Sequence, residues 1–200
     1  ICPYLANEGF PSVAHGFLET AAQAVHKAGG VVIADEVQPG FGRLGSHFWG
    51  FQRIGHVPDI VTIGKPMGNG HPVAAVVTSF DMLSAFQKVQ RYFSTFGGNP
   101  VSCAAASAVL DVLEREQLMQ RAHSTGEMAM AGLRHLAGKH DIIGEVRGAG
   151  MFLGCELVTS RQTRQPAVAE TLRLVNLMRQ RGVLLGYSGI HNNVLKVRPP

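Results

Sequence analysis

Charge is scarce in this chain. Asp and Glu number 14 and Lys and Arg 18 among 200 residues, so charged side chains make up only 16%, against about a quarter in an average globular domain. The net charge is +4, and the basic residues are scattered, with no run that would follow a phosphate backbone. A nucleic-acid partner is therefore not expected. Cysteine is scarcer still. Cys2, Cys103 and Cys155 are an odd number without C-x-x-C spacing, which excludes a disulfide framework and a thiolate zinc site and points to a reducing, cytoplasmic setting. The nine histidines include no His-x-x-x-His pair beside an acid, so no metal is expected. No apolar run approaches the roughly 18 residues of a bilayer span, and no charged-then-apolar leader opens the chain. The sequence starts at Ile1 and stops at Pro199-Pro200 without a closing helix; a fragment with both ends missing is the expectation.

What the chain does hold is apolar residues, 46%, and 24 glycines. That combination suits an enzyme of buried strands and tight turns. Leu18, Ala21, Ala22, Val25 and Ala28 share one helical face, and Gly29-Gly30 end that helix. Val31 to Ala34 is a short continuous apolar run, and Ile60 to Ile63 and Val73 to Thr78 read alike; such runs predict strands buried on both faces. Glycine- and proline-rich loops lie at Pro39 to Gly45 and at Gly64 to Pro72. Helix, strand, loop, strand predicts an α/β domain with a largely parallel sheet, whose ligands sit beyond the carboxyl ends of the strands. From Val101 the pattern is helical, over Ala104 to Leu113 and again from about Gln117 to Leu136. Strands are expected at Gly144 to Arg147, Met151 to Leu157, Val183 to Leu185 and Val194 to Val197, and a helix around Val168 to Arg181. The change of pattern places a domain boundary near residue 116, giving domains 1–116 and 117–200.

Two patterns resemble nucleotide sites and fail on context. Gly40-Phe41-Gly42-Arg43-Leu44-Gly45 fits G-x-G-x-x-G, the mark of a nicotinamide-dinucleotide site. The residues after it do not open an amphipathic helix, so no helix N-terminus is available for a pyrophosphate. Val31 to Glu36 looks like the magnesium-binding strand of an ATPase, but the only Gly-Lys, Gly64-Lys65, runs into Pro66, which has no N–H for a phosphate.

Asp35 at the end of one strand and Lys65 just past another remain. A carboxylate and an ammonium beside buried apolar sequence each need a partner, and a salt bridge between them, or escape to solvent, would suffice. A pyridoxal phosphate site uses the same pair differently. The lysine forms an imine with the cofactor aldehyde; the aspartate keeps the ring nitrogen protonated, since an opposite charge favours the charged form. The protonated ring then draws electrons from the substrate carbon next to nitrogen.

Three segments carry a family resemblance. ADEVQPGFGRLG (Ala34 to Gly45) resembles the class III, ornithine-type aminotransferases; PDIVTIGKPMGNGHPVAA (Pro58 to Ala75) is similar to their cofactor-lysine segment, and STFGGNP (Ser94 to Pro100) to their phosphate-contacting loop. The resemblance implies a pyridoxal-phosphate-dependent transferase of fold type I, with residues 1–116 part of the large, mainly parallel-sheet domain and residues 117–200 part of a small C-terminal α+β domain. It implies Lys65 as the Schiff-base lysine, Asp35 as partner of the pyridine nitrogen, Val37 against one ring face and Gln38 near the phenolic oxygen. It also implies Thr95 on the cofactor phosphate across a homodimer interface. Further cofactor contacts are expected upstream.

Two departures bear on the reaction. His47-Phe48-Trp49 and Phe51-Gln52, with GKPMGNGHPVA, resemble the phospho-lyase branch, which acts on O-phosphoethanolamine or 5-phosphohydroxylysine; Trp49 is then a substrate-side residue, or else plain core. The family's carboxylate-gripping arginine, three residues before the final Pro-Pro, is here Lys196. A lysine cannot make arginine's planar bidentate clamp, and a substrate without a carboxylate beside its amine needs none. Lys196 is thus a second candidate substrate residue, unless it and Arg198 are simply exposed strand residues. The expectation is a phospho-lyase, with a class III transaminase as the alternative and a nicotinamide-nucleotide-binding protein or a catalytically silent structural relative as remote ones.

Overall fold

The computed structural model describes residues 1–4 and 6–199. The chain divides into two compact units that interleave along the sequence: residues 1–3, 14–41 and 47–118 form one, and residues 4–13, 42–46 and 119–200 the other.

In the first unit α1 (Phe17–Lys27) leads, through Gly29, into β1 (Ile33–Asp35), followed by β2 (Ile60–Ile63), β3 (Ala75–Thr78), α2 (Phe80–Val89) and α3 (Pro100–Arg115). The sheet order is β1-β2-β3. β1 and β2 are parallel, with Asp35 opposite Thr62. β3 returns antiparallel to β2, against the parallel expectation. Its connection from Ile63 contains only a 3-10 turn, Lys65–Gly68, and a parallel crossover needs a longer link, usually an α-helix. The strands also depart from the expected two-sided burial. Val32 and Ala34 are buried while Val31 and Ile33, on the opposite face, are over 40% exposed, and on β3 the consecutive residues Val76 and Val77 are both exposed. Helix α2 was not expected. Its signal was present in Ser79, whose hydroxyl accepts the Met82 N–H at the helix start.

In the second unit α4 (Leu118–Lys139, all but its first residue) precedes β4 (Ile143–Ala149) and β5 (Phe152–Leu157), then α5 (Val168–Gln180), β6 (Gly186–Ser188) and β7 (Val194–Val197). They build an antiparallel sheet of order β4-β5-β7-β6. The strand expected at Val183 to Leu185 begins instead at Gly186, because Gly182 turns the chain with φ 80° and Leu184 points to solvent. Residues 4–13 and 42–46 join this unit for a packing reason. Tyr4, Ala6, Phe10, Leu44, Phe152 and Val194 form one apolar cluster, with the Phe10 and Phe152 rings edge-to-face at 5.2 Å. The Met151 N–H donates to the Arg43 carbonyl, 3.0 Å. Gly150, at φ 54°, lies so close to the Arg43 and Leu44 backbone that no side chain fits. A second cluster of Ile143, Cys155, Leu157, Ala167 and Leu195 takes Leu174 and Val175 of α5. Burial there pushes the Cys155 thiol up to about 11, so it is an inert core residue.

Glu145 and Glu156 stand opposite each other on β4 and β5, an unfavourable pairing by itself. Arg147 and Arg164 each reach both carboxylates at 2.7–2.9 Å. Burial pushes the Glu156 carboxyl up, but the Arg147 hydrogen bond and charge, with Arg164 and Asn193, outweigh it and leave the group below its ordinary value. A depressed carboxyl contributes stability above its unfolded pKa of about 4.3 and loses it as pH falls through the folded value. Glu156→Gln is therefore expected to cost about 1–3 kcal/mol at pH 7 and progressively less as the pH falls through the folded value. Denaturant unfolding over a series of acid pH values measures the difference. Among the described residues, no helix is long and apolar enough to cross a membrane.

Candidate active site

The site grows from strand parity. Side chains alternate across β1 and its continuation, so Val32, Ala34 and Glu36 fall on the buried face. Asp35 points the other way and is exposed, with half-buried Val37 two residues on. Asp35 Oδ1 accepts the Val37 N–H at 3.1 Å, closing the strand end on itself. The Asp35 N–H is taken by the Ile1 carbonyl, 2.8 Å. Both Asp35 and Lys65 thus leave the carboxyl ends of adjacent parallel strands, where α/β sheets bind ligands.

Lys65 begins the 3-10 turn after β2. Its side chain is exposed and makes no hydrogen bond or ion pair with any described residue. The salt bridge between Asp35 and Lys65, one of the two bland readings of the sequence, does not form. Lys65 holds φ 20°, at the edge of the left-handed region that residues with a Cβ rarely adopt. A Cβ on the preceding Gly64 would lie 3.5 Å from Val37 Cγ1, so the lysine turn runs directly against the Val37 side chain.

Glu36 organises the loop after β1, a role the sequence reading missed. It is wholly buried, and its two oxygens accept the N–H groups of Gly50 and Phe51 at 2.8 and 2.7 Å. These groups open the 3-10 turn Gly50–Ile54, where a carboxylate satisfies otherwise orphaned donors. Burial raises the Glu36 pKa, the two backbone hydrogen bonds oppose that, and the neighbouring Asp35 charge adds to the rise; the net direction is upward. The signal for this role was the same period-two parity that sends Asp35 outward.

Trp49 packs edge-on to Phe41 and Phe48, at 5.3 and 4.8 Å. A Cβ on Gly40 would meet its ring at 3.0 Å. That is a core-like setting for Trp49. Gln38 is half-buried in the turn before Pro39, and Thr95 lies in a fully exposed segment, residues 91–98. In the second unit Lys196 is not the exposed strand residue of the bland reading. It is 7% exposed, its Nζ donates to Asn7 Oδ1 at 2.9 Å, and it lies 5.5 Å from the Phe152 ring centre. Arg198, by contrast, is exposed.

This donor set fits pyridoxal phosphate: a free amine for an aldehyde, an outward carboxylate for a ring nitrogen, and a branched apolar side chain beside both. No cluster of three or more metal-ligating residues occurs among the described residues. The fold is that of the pyridoxal-phosphate-dependent transferases of fold type I. Within them, the model of class III aminotransferases matches residues 1–200, and the chain belongs to that family, whose members depend on pyridoxal phosphate. It is 47% identical over 192 residues to the mitochondrial alanine–glyoxylate aminotransferase 2 homolog 2 of Arabidopsis thaliana, covering 96% of this chain and 40% of the relative. It is 43% identical over 187 residues to ethanolamine-phosphate phospho-lyase homolog 1 of Caenorhabditis elegans, covering 92% and 40%. A solved phospholyase from Arthrobacter, in complex with phosphoethanolamine, superposes with a TM-score of 0.96 at 46% identity, over 100% of this chain and 47% of that one. The chain spans about two-fifths of the length of the curated relatives it matches.

Proposed function

We propose that the full protein is a pyridoxal-phosphate enzyme that acts on a primary amine and removes phosphate from an O-phosphorylated amino alcohol such as O-phosphoethanolamine. The observation that carries the cofactor chemistry is the placement of Asp35 and Lys65 at the ends of two adjacent parallel strands, both exposed and not spent on each other. When bound, pyridoxal phosphate supplies an aldehyde and an electron-withdrawing ring. Lys65 would hold it covalently and would take the proton from the carbon bearing the substrate amine. Asp35 would keep a proton on the ring nitrogen by its charge. Val37 would lie against the ring and Gln38 would hydrogen-bond near its phenolic oxygen.

Thr95 serves the cofactor phosphate of a partner subunit, so the enzyme works as a homodimer. Tyr92, Phe93 and Phe96, at 76%, 86% and 81% exposed, flank Thr95 with apolar surface that suits burial against such a partner.

Two observations support phosphate loss over amino transfer. Lys196, at the position where the resemblance implies an arginine, is built into the second unit's sheet, and its single ammonium cannot clamp a carboxylate in the bidentate manner. The Arthrobacter phospholyase, matched over this whole chain, holds phosphoethanolamine. The net reaction takes up one water and yields an aldehyde, ammonia and inorganic phosphate. A transaminase is the second reading, favoured by the 47% identity to the Arabidopsis aminotransferase. The full-length holoenzyme with O-phosphoethanolamine and no keto acid is expected to release phosphate catalytically. No release from it or from 5-phosphohydroxylysine, with amino transfer to a keto acid intact, gives the transaminase reading precedence.

A further inference from the structure

The amine of Lys65 has no side-chain partner among the described residues, so its backbone turn is what places the start of the side chain. That turn is a chain of interlocked bends. The Met67 N–H donates to Gly64 O at 2.8 Å, Asn69 N–H to Pro66 O at 3.1 Å and His71 N–H to Gly68 O at 2.9 Å. Each bend begins inside the previous one, so residues 64 to 71 form one continuous hydrogen-bonded run.

At residue 71 the turn is fastened. His71 Nε2 lies 2.8 Å from Ser102 Oγ, a buried hydroxyl in the first turn of α3. Ser102 Oγ also accepts from Asn99 Nδ2 at 2.9 Å. The orientation of Asn99 is fixed by its own cap bond, because its Oδ1 accepts the Ser102 N–H at 3.0 Å. Its other amide proton goes to the Phe96 carbonyl, 2.8 Å. With Asn99 donating into Ser102, the serine hydroxyl is free to donate to His71 Nε2. The path continues to the segment bearing Thr95: Asn99 grips Phe96, and Ser94 Oγ accepts the Gly97 N–H at 3.0 Å.

We propose that His71 is a positioning residue, which through Ser102 and Asn99 fixes the Lys65 turn to the start of α3 and to the segment carrying Thr95. The inference rests on the reading of Lys65 as the reacting amine and Thr95 as a phosphate ligand. It adds that the two are set by one hydrogen-bonded seam. If Thr95 serves a partner subunit, the seam ties the lysine of one site to the phosphate contact of the other.

The test uses the full-length protein and four variants: His71→Phe, which removes the acceptor; His71→Gln, whose amide oxygen can take its place; Ser102→Ala; and the double variant His71→Phe with Ser102→Ala. Capture of pyridoxal phosphate by the cofactor-free protein is followed by its visible absorption band, and kcat and KM are measured separately. His71→Phe is expected to slow capture and lower kcat, each about tenfold, the effect of one lost hydrogen bond, with KM within about threefold. His71→Gln recovers most of the loss. The double variant is no worse than the poorer single one, because both cut the same seam. Melting of the cofactor-free protein separates a misfolded variant from a mispositioned turn, and Ser102→Ala, which leaves the Asn99 cap bond in place, carries the test if His71→Phe misfolds. Wild-type capture and kcat in His71→Phe, a loss that His71→Gln does not recover, or additive losses in the double variant would overturn the proposal. Borohydride mapping of the wild type keeps the two readings apart. An adduct on Lys65 with unaffected variants refutes the seam alone, and an adduct elsewhere refutes the Lys65 assignment beneath it.

Discussion

Lys65→Ala in the full-length enzyme is expected to lower kcat by at least about 10³-fold, because one side chain acts both as covalent anchor and as proton acceptor. The fold should not register the change. The Lys65 side chain is exposed and makes no hydrogen bond or ion pair with any described residue, so its loss should move stability by no more than about 0.5 kcal/mol. The backbone bends between Gly64 and His71 do not use the side chain. Steady-state kinetics and a thermal melt on the same sample check both halves. A variant that keeps activity within tenfold of wild type would contradict the assignment, and one that unfolds would show that the lysine has a structural task this arrangement does not contain.

Asp35→Asn is expected to lower kcat about 10²- to 10³-fold and to weaken cofactor binding. An amide has the shape of the carboxylate but not the charge that keeps a ring nitrogen protonated. The substitution is a clean one here, since the Asn oxygen can still accept the Val37 N–H that closes the strand end. Cofactor affinity and kcat should fall together, while the melting temperature of the cofactor-free protein stays close to wild type. Unchanged kcat would mean that the ring nitrogen is not served by this carboxylate.

How much of this was legible in the sequence differs by element. Helices α1, α3, α4 and α5 declared themselves through a 3.6-residue apolar period, and the β4–β5 hairpin through the glycines at 148 and 150. The strands of the first unit were legible as strands but not in their surroundings. A short apolar run looks the same whether one face is covered or two, and Val31, Ile33, Val76 and Val77 are open on theirs. The direction of β3 was decided by the length and content of the Gly64–Ala74 link, which a strand pattern does not contain. The interleaving of residues 4–13 and 42–46 with the C-terminal unit rests on contacts of Phe10, Leu44 and Phe152, far apart in sequence and invisible to any local reading. At the candidate site, Asp35 and Lys65 were readable through the three segments that resemble the class III aminotransferases, since a strand-end acid and lysine that both reach solvent, as these do, carry no cost that would mark a site. Glu36 and the His71–Ser102–Asn99 seam were not, since each becomes meaningful only when distant backbone and side-chain groups meet.

The central claim is that one lysine, at the end of β2, holds the cofactor. The most direct measurement is borohydride reduction of the full-length holoenzyme followed by peptide mapping. A single pyridoxyl adduct on the peptide containing Gly64-Lys65-Pro66 is the expected result. An adduct on any other lysine, or none at all, would contradict the account.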